Sequence, residues 1–91
     1  MNARTRLRRA SDLLWRDLGG EILATTPGGK GVERLGGSAL QVWALLERSR
    51  TVEECTGAIA GSSDVIAAEV ESFIQELVAR GVVEEVPEHD A

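Results

Sequence analysis

The sequence predicts an α+β fold in which a three-stranded antiparallel sheet precedes three helices. Short β-capable runs separated by glycine-rich turns occupy the N-terminal third, up to Leu35. Beyond Ser38, apolar residues recur at the three- and four-residue spacing of buried helix faces. The length of 91 residues, with 43% hydrophobic and 27% charged residues, suits one globular domain rather than a disordered chain.

The first two strands form a predicted hairpin. Residues 13–16 (LLWR) and 21–25 (EILAT) are short β-capable runs, and residues 17–20 (DLGG) form a glycine-rich connection between them. Residues 27–30 (PGGK) are a second turn signal, and residues 32–35 (VERL) combine apolar and polar residues as a half-buried strand does. Three short antiparallel strands are therefore expected.

Hydroxyl residues mark the starts of the first two predicted helices. Ser38 precedes Gln41 by three residues, the spacing at which a hydroxyl and an amide side chain cap each other's backbone donors. Thr51 and Glu54 repeat this spacing. The first helix is strongly apolar, so it is expected to be mostly buried, with Trp43 in the core.

The third predicted helix, residues 64–80, has the clearest helical pattern of the chain. Ser62 and Ser63 precede it as candidate caps, and Gly81 follows it where a left-handed C-terminal cap is expected. A small sheet followed by two short helices and a longer one is the plan of a winged helix-turn-helix domain. The apolar stripe of the third helix comprises Ile66, Val70, Phe73, Ile74, Leu77 and Val78.

The sequence offers little for catalysis or metal binding. Cys55 is the single cysteine and His89 the single histidine, and they lie far apart, so neither a disulfide nor a metal site is expected. The chain has no tyrosine and no nucleophile set beside a base, so no catalytic residue and no cofactor are predicted. We therefore expect a protein that is not an enzyme.

The distribution of apolar residues argues against a membrane or secretory segment. No run approaches the roughly 20 apolar residues that a membrane-spanning helix needs. The basic residues 4–9 (RTRLRR) precede alternating apolar and charged residues rather than an apolar stretch, so they are not interpreted as a signal peptide. We expect a cytoplasmic protein with no membrane partner.

Charge is divided unevenly along the chain. Basic residues outnumber acidic ones in the first half. After position 51, Arg80 is the only Lys or Arg residue, whereas ten residues are Asp or Glu. An acidic surface repels phosphates, so nucleic acid is not an expected partner. The expected organisation is a flexible basic arm at residues 1–10, a domain at residues 11–86 and an acidic tail at residues 87–91.

A set of motifs between Leu35 and Val83 matches a known pattern in order and spacing. Residues 35–43 (LGGSALQVW) place a leucine, a small hydroxyl residue, an aliphatic residue and a tryptophan as that pattern does. The chain thereby resembles the PqqD-like family of recognition elements for ribosomally synthesised and post-translationally modified peptides (RiPPs). The likeness extends from residue 13 to about residue 84. The other matching motifs are Leu45 with Leu46, residues 51–54 (TVEE), Val70 with Phe73, Ile74 and Leu77, and residues 81–83 (GVV).

The resemblance implies a peptide-binding function. Such a domain binds the leader segment of a precursor peptide, which adds an antiparallel strand to the sheet edge and lies against the third helix. It then presents the peptide to a modifying enzyme: a radical SAM enzyme, a cyclodehydratase, or a leader peptidase with its cyclase. The leader-binding residues expected on this basis are Val32, Glu33, Arg34, Leu35, Glu69, Val70, Phe73, Glu76 and Leu77.

Several of these residues have a second interpretation. Phe73 belongs to the core stripe as well as to the expected groove. Glu69 and Glu76 share a helix face that is either solvated or paired with basic leader residues. The role of Arg34 is equally open, and Trp15, outside this set, is either a core residue or a surface anchor.

A DNA-binding transcriptional regulator with a winged-helix fold is the alternative function, because a fold does not determine a function. Such a regulator needs a basic recognition helix, and residues 64–79 of the third predicted helix contain no Lys or Arg. In that case residues 4–9 would have to supply the DNA contacts.

Overall fold

The computed structural model of the protein describes residues 1–26 and 32–87. Within them, six short strands form two antiparallel three-stranded sheets, and the chain also forms three helices. The α+β class predicted from the sequence is confirmed, and the layout is compatible with a winged helix-turn-helix domain. The strands are β1 (Arg6–Arg9), β2 (Leu14–Asp17), β3 (Ile22–Thr25), β4 (Glu33–Leu35), β5 (Arg50–Thr51) and β6 (Val83–Glu85). The helices are α1 (Ser38–Leu45), α2 (Val52–Ala60) and α3 (Asp64–Ala79).

The predicted hairpin and the predicted third strand form one sheet, in the order β2-β3-β4. At the hairpin, the Leu18 amide donates to the Glu21 carbonyl at 2.9 Å. Gly19 in the turn has a φ of 91°, a left-handed conformation that favours glycine. In the next pairing, Ile22 of β3 lies opposite Leu35 of β4, and both side chains point into the core.

Two expectations fall on residues outside the described part of the chain. They are the turn at residues 27–30 and, from residue 88 onward, the acidic tail.

The second sheet has the order β5-β1-β6, so the N-terminal strand is its central member. Leu7 lies opposite Arg50 of β5 and Glu85 of β6, and its side chain is 0% exposed. The structure therefore differs from the flexible arm expected at residues 1–10, because Arg6–Arg9 is an integral strand. The partner strands lie far along the chain, so no local pattern announces this pairing.

The first two helices begin in different ways. Gly37, with a φ of 57°, caps α1, and Ser38 is already the first helical residue and makes no side-chain cap. The capping box expected between Ser38 and Gln41 is therefore wrong. The one expected at α2 is confirmed: the Glu54 amide donates to the Thr51 hydroxyl at 3.1 Å, and the Thr51 amide donates to the Glu54 carboxylate at 2.8 Å.

Helix α3 starts at Asp64, as predicted, and ends at Ala79, one residue before the predicted end. The Ser63 hydroxyl accepts a hydrogen bond from the Ile66 amide at 3.3 Å. At the other end Gly81 has a φ of 80°, and its amide donates to Val78 while the following amide, of Val82, donates to Leu77. These two bonds form a Schellman motif, which turns the chain from α3 into β6.

One apolar core unites both sheets and all three helices. Leu7 of β1 and Ile74 of α3 are 0% exposed, and Leu35 of β4 is 1% exposed. Trp43 of α1 is 4% exposed, as expected for a core residue. This shared core holds α3 in place beside β4, where the candidate site lies.

Candidate functional site

Strand β4 is an edge of the β2-β3-β4 sheet: in the described part of the chain it pairs with β3 on one side only. In an antiparallel ladder, residue pairs that exchange backbone hydrogen bonds alternate with pairs that do not. The bond from the Leu18 amide to the Glu21 carbonyl shows which pairs of β2 and β3 are hydrogen-bonded, and this phase of the alternation then gives the hydrogen-bonded pairs of β3 and β4. In that phase Glu33 and Leu35 bond to β3. The N–H and C=O groups of Arg34 therefore point to the open edge, where they can bond an added strand.

An ion pair connects the edge strand to the end of α3. The Arg80 guanidinium donates to one carboxylate oxygen of Glu33 through both Nε, at 3.0 Å, and Nη2. The hydrogen bond to Glu33 raises the pKa of Arg80 above its ordinary value. A second carboxylate, that of Glu76, lies 3.8 Å from Arg80 Nη1. The open edge is thus held beside the C-terminal part of α3.

An apolar groove of about 420 Å³ lies between the N-terminal part of α1 and α3. Helix α1 begins three residues after β4, so the groove lies near the C-terminal end of the edge strand. Ile66 is 44% exposed, so the groove presents apolar surface to solvent. The groove is lined by Ser38, Gln41, Val42, Ile59, Ile66, Glu69, Val70 and Phe73.

A shallower hollow of about 400 Å³ lies on α3 beside the groove. It shares Glu69 and Phe73 with the groove, and Ala68, Ser72 and Glu76 complete its lining. Phe73 is half-buried and packs against the core, so its ring contributes to the core and borders both concave surfaces. The ring of Phe73 therefore lies in the core stripe and also at the border of the groove.

The structure divides the nine predicted site residues into three groups. Val32 immediately precedes the edge strand, and Glu33 and Arg34 belong to it. The residues at the groove or the hollow are Glu69, Val70, Phe73 and Glu76. Leu35 and Leu77 are each 1% exposed, so their side chains belong to the core and support the site from beneath.

The side chain of Arg34 lies on the surface. It is 73% exposed, and its Nη1 atom is 3.6 Å from the carboxylate of Glu21. An ion pair this exposed contributes at most about 1 kcal/mol to stability. The backbone of Arg34 is therefore of more interest than its side chain.

Sequence analysis missed five residues of the groove, which are Ser38, Gln41, Val42, Ile59 and Ile66. Ile66 was assigned to the core stripe of α3, yet almost half of it is exposed. One signal was available: Val65 and Ile66 are adjacent apolar residues in the first turn of α3, where successive side chains point in different directions.

The remaining chemistry of the described residues is sparse. In residues 1–26 and 32–87, no three His, Cys, Asp or Glu side chains are grouped so that they could hold a metal ion. Burial raises the pKa of the Cys55 thiol, which makes it less reactive. In this same part of the chain, every helix is too short or too polar to cross a membrane.

A comparison with protein families gives a match over most of the chain. The family described as "Coenzyme PQQ synthesis protein D (PqqD)" matches residues 12–83, from just before β2 to the first residue of β6. A comparison with curated proteins found no match. The chain therefore belongs to the PqqD family, whose members are accessory proteins that bind a precursor peptide and associate with a modifying enzyme in PQQ and related RiPP biosynthesis.

Proposed function

We propose that this protein binds the leader segment of a precursor peptide as an added β-strand along β4 and presents the peptide to a modifying enzyme. The observation that carries the proposal is the position of the open β4 edge beside α3 and the apolar groove. An edge strand without a partner is an aggregation hazard, so a bound peptide explains why this edge is kept open.

The backbone of the edge strand provides the first part of the binding energy. The N–H and C=O groups of Arg34 are available for two hydrogen bonds to the leader. Bonds of this kind do not depend on the leader's side chains, so they give affinity without sequence preference. The leader can make such bonds while running antiparallel or parallel to β4, and we propose the antiparallel arrangement.

The groove provides the sequence preference. Side chains of an added strand alternate between its two faces, so every second leader residue can point toward α3. The exposed part of Ile66 and the half-buried ring of Phe73 suit an aliphatic or aromatic anchor. We propose that one such leader residue occupies the groove.

Acidic residues border this surface and favour a leader with basic residues nearby. Glu69 and Glu76 are exposed on the same part of α3. The Glu76 carboxylate already lies near Arg80, whereas Glu69 borders both concave surfaces. A basic leader residue is therefore placed best beside Glu69.

In this proposed function, the protein catalyses no reaction itself. Its partner is a radical SAM enzyme, a cyclodehydratase, or a leader peptidase with its cyclase, and the complex assembles in the cytoplasm. Two of the four arginines in residues 4–9, which a DNA-binding regulator would need, are engaged within the fold: Arg8 pairs with Glu84 at 2.6 Å, and Arg9 donates to the Trp43 carbonyl. These contacts favour peptide binding over DNA binding.

A proline at Arg34 tests strand addition. Proline lacks the amide hydrogen that faces the open edge, but it leaves the bonds of Glu33 and Leu35 to β3 in place. With a fluorescently labelled leader segment of the cognate precursor peptide, we expect Arg34→Pro to weaken binding by at least about tenfold, or about 1.4 kcal/mol, in fluorescence anisotropy.

Arg34→Ala is the matched control, because it removes the same side chain and the exposed ion pair to Glu21 but keeps the amide. Its affinity should stay within about threefold of the unchanged protein. Circular dichroism and thermal melting establish that both variants are folded. Full leader affinity in a folded Arg34→Pro variant would mean that β4 is not the docking edge.

A further inference from the structure

The opposite edge of the same sheet carries a second, unrelated set of exposed side chains. The order β2-β3-β4 places β2 at the edge farthest from the proposed leader site. All four residues of β2 are exposed, including Trp15 at 48%. Tryptophan is enriched among the residues that contribute most to binding at protein interfaces.

The exposed tryptophan belongs to a fixed cluster rather than to a mobile surface. The rings of Trp15 and Trp43 meet edge to face, with centroids 5.3 Å apart and an interplanar angle of 75°. The Arg9 guanidinium carbon lies 4.3 Å from the centroid of Trp43 and 5.3 Å from that of Trp15. The cluster therefore joins β1, β2 and α1.

Arg9 is held inside this cluster and is not available to bind an anion as a free group would. Its Nε and Nη2 atoms donate to the Trp43 carbonyl at 3.1 and 2.7 Å. Burial lowers the pKa of Arg9, and the charge of Glu47 acts in the opposite direction. The guanidinium is thus a structural cation that satisfies a carbonyl near the end of α1.

A cavity of about 360 Å³ opens beside the cluster, and we name it the tryptophan pocket. Its aromatic and cationic wall is formed by Trp15, Trp43 and Arg9, and its acidic wall by Asp17, Glu21 and Glu47. Among the described residues, the lining of the pocket thus contains three carboxylates and one structural cation. Arg34, outside the lining, lies near the carboxylate of Glu21. The pocket is therefore net acidic beside an exposed indole ring.

An acidic rim next to an aromatic ring is a surface that can bind an arginine or lysine side chain. The charge lies between the carboxylates while the apolar stem, or the guanidinium plane, lies against the indole. We propose that the tryptophan pocket binds a basic side chain of the peptide-modifying enzyme. This inference rests on the proposed function, since it assumes that an enzyme receives the leader.

The geometry explains why the occupant is the enzyme rather than the leader. The leader site and the tryptophan pocket lie at opposite edges of one sheet, so both can be occupied at once. Presentation of a bound leader needs such an arrangement, because the enzyme must hold this protein without displacing the peptide. The pocket gives the enzyme a point of attachment away from β4.

Removal of the pocket's negative charge tests the proposal. The probe is the purified modifying enzyme of the same pathway, titrated by calorimetry with and without the leader peptide. We expect the double variant Asp17→Asn with Glu47→Gln to weaken enzyme binding by at least about tenfold. Its leader affinity should stay within about twofold, and the enzyme affinity of the unchanged protein should fall as ionic strength rises.

A matched control removes two exposed carboxylates elsewhere, in Glu53→Gln with Glu85→Gln, and should leave enzyme binding unchanged. Trp15→Ala should weaken enzyme binding as the pocket variant does, with folding checked by circular dichroism.

Full enzyme affinity in a folded pocket variant would overturn the proposal. A loss of leader affinity in that variant would assign the pocket to the leader, and a loss of self-association in sedimentation would assign it to a second copy of this chain. Either result also overturns the proposal.

These outcomes are distinguishable from failure of the proposed function. Unchanged protein that does not bind the leader would remove the proposed function itself, whatever the pocket variant does. Conversely, Arg34→Pro should lose the leader but keep its affinity for the enzyme within about twofold. Leader binding and enzyme binding are therefore tested by separate residues.

Discussion

Ile66 is an apolar residue of a helix that the fold leaves partly outside the core. Its side chain is 44% exposed and lines the groove, while Val65 beside it is 71% exposed and does not. Exposed aliphatic groups in a concave site lose unfavourable contact with water when a ligand covers them. Ile66 is therefore the residue that can best report on the groove without disturbing the core.

We predict that Ile66→Ala weakens leader binding by about 2 kcal/mol, the typical effect of truncating an interface anchor. Val65→Ala removes a similar amount of exposed aliphatic surface one residue away and should change leader affinity by less than about 0.5 kcal/mol. Both variants should melt close to the unchanged protein, and anisotropy with the labelled leader measures affinity. Equal effects of the two substitutions would contradict the placement of the anchor in this groove.

At the scale of elements, the end of α3 determines how the helix meets the sheet. The Schellman motif at Gly81 redirects the chain into β6, and Arg80 beside it pairs with Glu33 of β4. The same short segment thus ends the helix and holds the edge strand. A Cβ atom at Gly81 would lie 3.2 Å from Thr26 Cγ2, in addition to the strain of a φ of 80°.

Gly81→Ala should therefore destabilise the protein by about 1–2 kcal/mol, the cost of a left-handed conformation in a residue with a side chain. Gly57 of α2 is the control, because a Cβ atom there meets no described atom within 4 Å. Gly57→Ala should stabilise the protein by about 0.5–1 kcal/mol through helix propensity. Urea unfolding measures both changes, and a loss of stability of the same size in both variants would contradict this reasoning.

At the scale of the whole molecule, β1 joins the two halves of the chain. It pairs with β5, which precedes α2, and with β6, which follows α3. It also carries Leu7 into the common core and Arg9 into the tryptophan pocket. The N-terminal segment is therefore needed for the stability of the entire domain.

Substitution of Leu7 measures that contribution. Leu7→Ala should cost about 2–5 kcal/mol, as for other fully buried leucines, which is a large part of a small domain's stability. Leu14→Ala is the matched control, since Leu14 is 76% exposed, and it should change stability by no more than about 0.5 kcal/mol. Urea unfolding, followed by tryptophan fluorescence and circular dichroism, provides the measurement. Equal stability of the two variants would show that β1 is not part of the cooperative unit.

Features that depend on neighbouring residues were predictable from the sequence. The Thr51 capping box, the Ser63 cap and the left-handed Gly81 each arise from residues within a few positions of one another. The β2–β3 hairpin follows from its glycine-rich turn for the same reason. Ser38 is the exception, because the spacing to Gln41 was correct but Gly37 made the cap instead. The motif order likewise determined the family, which the match over residues 12–83 shows.

The rest was decided by contacts between distant segments. The partners of β1 lie at β5 and β6, so only the folded chain turns a basic segment into a central strand. Ladder phase decides that the amide of Arg34, and not that of Glu33, faces the open edge. Packing likewise leaves Ile66 in a groove and brings Trp15 against Trp43. The sequence by itself determined the family, the three helices and the strands of the β2-β3-β4 sheet. The tertiary structure decided the β5-β1-β6 sheet and which groups remain free to bind, because burial and pairing are properties of the whole fold.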